Sequence, residues 1–145
     1  MDCRAFLVIY NSEQEILKLV RDFEDGTIAR AEWRHAEHLT VAFYYAFHHD
    51  FETALTKMRD GIFKLLNSFE IDLSEEMPYH ETMTVFWMRT IFDLIESQKG
   101  KPFVETANRV LEACGDKDLP LDFYSRELLF STRARANFVE GDLQI

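Results

Sequence analysis

Glycine and proline are scarce in this chain, five and three in 145 residues. So few breakers cannot punctuate many short strands, and long helices are expected instead. Cysteine is scarcer still, with Cys3 and Cys114 alone. Two thiols so far apart give neither a disulfide framework nor a paired-cysteine zinc motif. They read as buried or idle thiols of a reducing compartment. The apolar run at residues 5–10 is too short to span a membrane, and no small-residue cleavage site follows it. A cytoplasmic location is the resulting expectation. Basic residues are outnumbered 16 to 26, for a formal charge of −10. Such a surface repels nucleic acid and anionic membranes, so neither is expected as a partner, although a local basic patch remains compatible with that average. There is no P-loop, no dinucleotide glycine fingerprint, no G-x-S-x-G and no H-E-x-x-H. No standard nucleotide or hydrolase chemistry is announced.

What is present favours a core. The apolar fraction is 47%, and 14% of residues are aromatic, 13 of them Phe. That composition folds rather than staying disordered. The length fits one domain over residues 1–145. A chain of this size buries roughly 68–70% of its unfolded surface. The expected class is all-α, a single-domain bundle of about five to six helices.

The helices are legible one by one. Ser12-Glu13-Gln14-Glu15 is a capping box, and Ile16, Leu17, Val20 and Phe23 recur behind it at helical spacing until Gly26. Residues 31–47 form a second segment, nearly continuous in apolar residues from Leu39 to Phe47. A helix apolar on all faces must be central. Residues 50–66 carry the stripe Phe51, Ala54, Leu55, Met58, Ile62, Leu65, Leu66, with Asp50 as N-cap. An acidic connection, 67–78, ends in Pro78, which suits the first position of a fourth helix over 79–98. A fifth helix is expected over 103–114, a loop at Leu119-Pro120, a short helix near 122–130 and a further turn or short helix over 131–140. Whether residues 5–10 form a strand or a helical turn stays open at this level.

Two blocks stand out: Trp33-Arg34-His35-Ala36-Glu37-His38-Leu39 and Tyr79-His80-Glu81-Thr82. His35 and His38 share a helix face, about 5–6 Å apart at Cβ. If segments two, three and four run up, down and up, segments two and four start at the same end. Three imidazoles and at least one carboxylate then converge. Helix N-termini favour neutral imidazole, the metal-binding form. His35, His38 and His80 are therefore candidate metal ligands, with nitrogen and carboxylate donors that suit zinc, iron(II), nickel or manganese. Glu81 is the candidate fourth ligand or general base. A metal-free polar pocket built from the same residues is an equal reading, and helix-start histidines also serve as plain caps. For Glu81 alone, an acid in a first helical turn is the simpler account. Trp33 and Tyr79 are candidate pocket walls. Arg89 lies inside an apolar helix, needs a partner if buried, and is counted with them among the candidate pocket residues. His48 and His49 sit about 15 Å from this cluster and cannot join it. Arg126, Arg133 and Arg135 read as tethers of the terminal segment to acidic surface.

These two blocks, with Tyr124-Ser125-Arg126-Glu127-Leu128-Leu129-Phe130-Ser131, resemble a family of small bacterial proteins with no assigned activity. Its pattern is W-x-H-x-x-H-L, then Y-H-E-T, then Y-S-x-E-x-L-x-S, ending in Val-Glu-Pro-Asp-Leu. Here the ending is Val139-Glu140-Gly141-Asp142-Leu143, with Gly141 at the proline position. The resemblance implies that the blocks belong to one design and implies no function. Two hypotheses follow from the residues. One is a histidine-lined pocket that acts as a small-molecule enzyme or ligand binder, with or without a metal. The other is a metal-free interaction or regulatory protein, a homodimer in its simplest form.

Overall fold

A computed structural model describes residues 9–143. Cys3 and most of the apolar run at residues 5–10 lie outside the described residues. Among those described, every regular element is helical. The helices are α1 (Glu13–Asp25), α2 (His35–His48), α3 (Phe51–Ser68), α4 (Glu81–Ser97), α5 (Phe103–Ala113), α6 (Arg126–Leu129) and α7 (Thr132–Ala136). Single 3₁₀ turns at Arg30–Glu32 and Leu119–Asp122 link them. No described helix is long and apolar enough to cross a membrane.

Local chemistry sets most of the boundaries. The capping box of Ser12 and Glu15 opens α1, and Gly26 closes it at φ 70° in the left-handed region, where glycine carries no Cβ penalty. Asp50 caps α3 by accepting from the Thr53 amide at 2.8 Å. Two starts differ from the expectation. The second helix begins at His35, not near residue 31, because Glu37 reaches back to the Arg34 amide at 3.2 Å and ends the preceding turn there. The fourth begins at Glu81, with His80 as N-cap, so Pro78 lies outside it.

The helix richest in apolar residues is the hub, as its composition demands. Leu39, Val41, Ala42, Phe43 and Tyr45 of α2 are all buried, and α1, α3, α4 and α5 pack around them. One core runs through these five helices. A smaller cluster of Tyr124, Leu129, Ala134 and Val139 joins it through Met83 and Phe86.

The C-terminal segment is stitched to α4. Buried Thr82 meets the carbonyls of Ala134 at 2.6 Å and Asn137 at 2.9 Å, and its oxygen accepts from the Val139 amide at 3.2 Å. Tyr124 donates to the Val139 carbonyl at 2.5 Å. Of the expected tethers, Arg135 serves as one, but its targets are the carbonyls of Met77 at 3.0 Å and Tyr79 at 3.4 Å, not acidic side chains. The Y-H-E-T and Y-S-x-E blocks are also in direct contact, through the His80 Nε2 bond to the Leu129 carbonyl at 2.6 Å.

Candidate functional site

The starts of α2 and α4 and the end of α3 line an open hollow of about 480 Å³. Its walls include Trp33, His35 and His38 from one block and Tyr79 and His80 from the other. Parallel α2 and α4 thus bring all three histidines of the two blocks to one cavity. Helical spacing explains who else arrives. From His80, Met83, Thr84 and Trp87 follow on the same face of α4. Ile62 and Leu66, four apart, close the α3 side. Lys117, Asp118 and Phe130 complete the rim from the C-terminal third.

The histidines share the hollow without forming a donor set. His80 is a cap: its Nδ1 accepts from the Met83 amide at 3.2 Å, and its Nε2 donates to the Leu129 carbonyl at 2.6 Å. Both nitrogens are committed, which fixes the neutral Nε2–H tautomer. His35 donates from Nε2 to the Cys114 carbonyl at 2.8 Å, with its ring 4.9 Å from that of Trp87. Among the described residues no group of three or more His, Cys, Asp or Glu is arranged to hold a metal ion. The three-histidine ligand set expected from the spacing finds no support in that arrangement. A cap nitrogen whose lone pair serves a helix amide has none left for a cation.

His38 is different. Its Nε2 is enclosed and has no hydrogen-bond partner among the described residues. The ring meets Trp33 edge to face, with centroids 5.6 Å apart. Burial, followed by the neighbouring His35, pushes its pKa down from 6.5 to about 4. Burial also lowers His35, against an opposing pull from its bond to the Cys114 carbonyl. It lowers His80 too, aided by the Arg135 charge and opposed by the Leu129 bond. The cavity therefore presents neutral imidazoles at neutral pH.

The role of Glu81 is corrected. It takes no part in lining the hollow. Arg59 of α3 binds its carboxylate through Nε at 3.0 Å and Nη2 at 2.6 Å, and the Tyr79 hydroxyl donates to it at 2.5 Å. Burial pulls this carboxyl upward, but the bonds from Arg59 and Tyr79 and the guanidinium charge outweigh it and hold it below its ordinary value. It is a clamped carboxylate, neither ligand nor free base.

Arg89 also leaves the site. Nine residues past His80, it points about 180° away at 3.6 residues per turn. Its guanidinium stands 4.4 Å over the Phe138 ring and reaches Glu140 at 3.4 Å. With more than half of its side chain exposed, it needs no buried partner. Glu37 is buried and pairs with Arg34 at 2.9 Å.

Trp87 is the wall residue whose role the sequence hid, because it reads equally well as core. Its spacing of seven from His80 was the available signal. Cys114 is buried, and burial pushes its thiol up to about 11. Comparison of the chain with protein-family models, curated proteins and solved structures finds no match.

Proposed function

We propose that the hollow at the common start of α2 and α4 binds a small organic molecule without a metal. The observation that carries this reading is a hollow of about 480 Å³ walled by both of the chain's tryptophans and by His38, whose enclosed Nε2 has no partner among the described residues. An unsatisfied buried polar atom costs about 1–3 kcal/mol. A site needed only for packing would be more stable with an apolar side chain there. Ligand pockets typically combine apolar and aromatic walls with few polar groups, in volumes of roughly 300–1,000 Å³. This cavity has that make-up.

The side chains favour binding over catalysis. Glu81 is held by Arg59 and Tyr79. Both nitrogens of His80 are engaged. The Cys114 thiol, pushed up to about 11, stays protonated near neutrality and is a weak nucleophile. His38, with a pKa near 4, carries protons poorly at neutral pH.

Trp33 and Trp87 are the only tryptophans, so intrinsic fluorescence reads this one place. A nuclear magnetic resonance screen of one- and two-ring fragments is the test. Binders are expected to shift His38 and Met83 signals and to change tryptophan emission. A screen in which no fragment perturbs those residues, or in which binders map elsewhere, overturns the reading.

A further inference from the structure

We infer that the Phe130 side chain is the open stacking surface of this hollow, and that the occupant offers an aromatic ring to it. This rests on the binding role proposed above and adds a contact residue and a ligand class.

The pairing of the wall rings singles out Phe130. Four Trp, Tyr and Phe rings line the hollow, those of Trp33, Tyr79, Trp87 and Phe130. Trp33 stacks on Phe23 at 5.2 Å, and Tyr79 lies against Phe63 at 4.8 Å. Trp87 meets His35 at 4.9 Å and Phe86 at 5.2 Å. Phe130 has no ring partner among the described residues and joins neither apolar cluster. The Arg126 guanidinium, 5.9 Å from its centroid, stands at the outer limit of cation–π reach, about 6 Å.

Exposure and backbone agree with this. Leu128 and Leu129 pack into the smaller cluster, whereas Phe130, next in the chain, is 48% exposed on the wall of the hollow. Its backbone is nonetheless fixed. The Phe130 amide donates to the Arg126 carbonyl at 3.0 Å and the Ser131 amide to that of Leu128 at 3.1 Å. His80 Nε2 holds the Leu129 carbonyl at 2.6 Å. The ring is therefore displayed on a pinned turn, and a ligand that covers it has only a side chain to order.

An aromatic occupant gains most there. Two rings with centroids about 4.5–7 Å apart attract beyond the area they bury, and a saturated group gains the area alone. Space allows it, since one benzene fills a cavity of about 150 Å³ and this hollow measures about 480 Å³.

Benzyl alcohol and cyclohexylmethanol carry the same hydroxymethyl group on a planar and on a saturated ring. Titrations followed by nuclear magnetic resonance on the whole chain at pH 7.5 give the site and affinity of each. In Phe130→Leu, which stays apolar and loses the aromatic face, benzyl alcohol is expected to bind about 2- to 10-fold more weakly, the worth of one ring pair. Cyclohexylmethanol should change by less than about 2-fold, since the apolar contact remains. In the wild type, bound benzyl alcohol should show direct Overhauser contacts between its ring protons and those of Phe130. Benzyl alcohol in the hollow without those contacts, or an equal loss of both alcohols in the variant, overturns the inference and leaves the hollow as a binding site. If neither alcohol binds in the hollow while other fragments do, this inference falls alone. If no one- or two-ring fragment binds there, both fall. The wild-type contacts decide the matter even if the variant fails to fold.

Discussion

Arg59 and Glu81 form a two-point ion pair across α3 and α4, Nε to Oε1 at 3.0 Å and Nη2 to Oε2 at 2.6 Å. The Glu81 side chain is 16% exposed and that of Arg59 34%, so the pair lies between a surface bridge and a buried one. Breaking a buried pair costs about 3–5 kcal/mol and a surface pair contributes at most about 1. A double-mutant cycle of Arg59→Met and Glu81→Gln should give about 1–2 kcal/mol of coupling at pH 7, read by urea unfolding. The sign with pH follows from the lowered carboxyl. In the folded chain it titrates below its unfolded value of 4.5, so the contribution is complete above pH 4.5 and fades as pH falls through the folded pKa. Coupling that is absent at pH 7, or that grows on acidification, would contradict this account.

Thr82 is wholly buried and its single hydroxyl joins α4 to three backbone groups of the terminal segment. Thr82→Val keeps the shape and deletes the hydroxyl. It leaves an amide and at least one carbonyl short of a partner, at about 1–3 kcal/mol for such a loss. Thr82→Ser should lose much less. Because the bonds hold residues 134–139, amide exchange should rise there first in the valine variant. A valine variant more stable than the serine one would mean that the methyl, not the hydroxyl, does the holding.

The helices are legible in the sequence because their signals are local. Capping boxes, Asp50 and the stripe of α3 lie within a few residues of what they determine. The convergence of Trp33, His35, His38, Tyr79 and His80 is legible for a related reason: two parallel helices that start with these blocks can only bring them to one end. What each side chain does there is not legible, since it depends on partners far along the chain. His80 is spent on the Leu129 carbonyl, 49 positions away, His35 on that of Cys114, 79 away, and Glu81 on Arg59, 22 away. Arg89 is the avoidable error, since helical arithmetic alone turns it to the face opposite the pocket.

Gly61 draws no notice in the sequence, where a glycine inside a helical stripe looks like a blemish. In the fold it is the surface on which Phe23 of α1 rests: a Cβ there would lie 2.1 Å from Phe23 Cε2. Helix propensity favours alanine over glycine by about 1 kcal/mol. Phe23 is completely buried and stacks on Trp33 at 5.2 Å, so it has no easy retreat, and overpacking costs about 1–3 kcal/mol. The clash should win. Gly61→Ala is expected to lower stability by up to about 2 kcal/mol and to alter tryptophan emission through Phe23 and Trp33. A stabilised Gly61→Ala protein would show that α1 can move outward without loss.

Acid should loosen this protein well above the range where carboxylates protonate. His38 is held near pKa 4 in the folded chain, against 6.5 when exposed. As pH drops below 6.5 the unfolded chain takes up a proton that the folded chain refuses, so unfolding is favoured. Each tenfold difference in proton affinity between the two states is worth about 1.36 kcal/mol. For this one residue the loss is therefore about 2 kcal/mol at pH 5 and approaches about 3 kcal/mol below pH 4. His35 and His80, lowered chiefly by burial, add to the trend in the same direction. Urea unfolding at pH 7.5 and pH 5 should accordingly differ by at least about 2 kcal/mol in the wild type. In His38→Gln, which cannot titrate, the difference should shrink by about that amount, even if the variant starts from a lower stability. If the two proteins lose stability in parallel between pH 7.5 and pH 5, the proton is being refused elsewhere and His38 is not the enclosed neutral base described above.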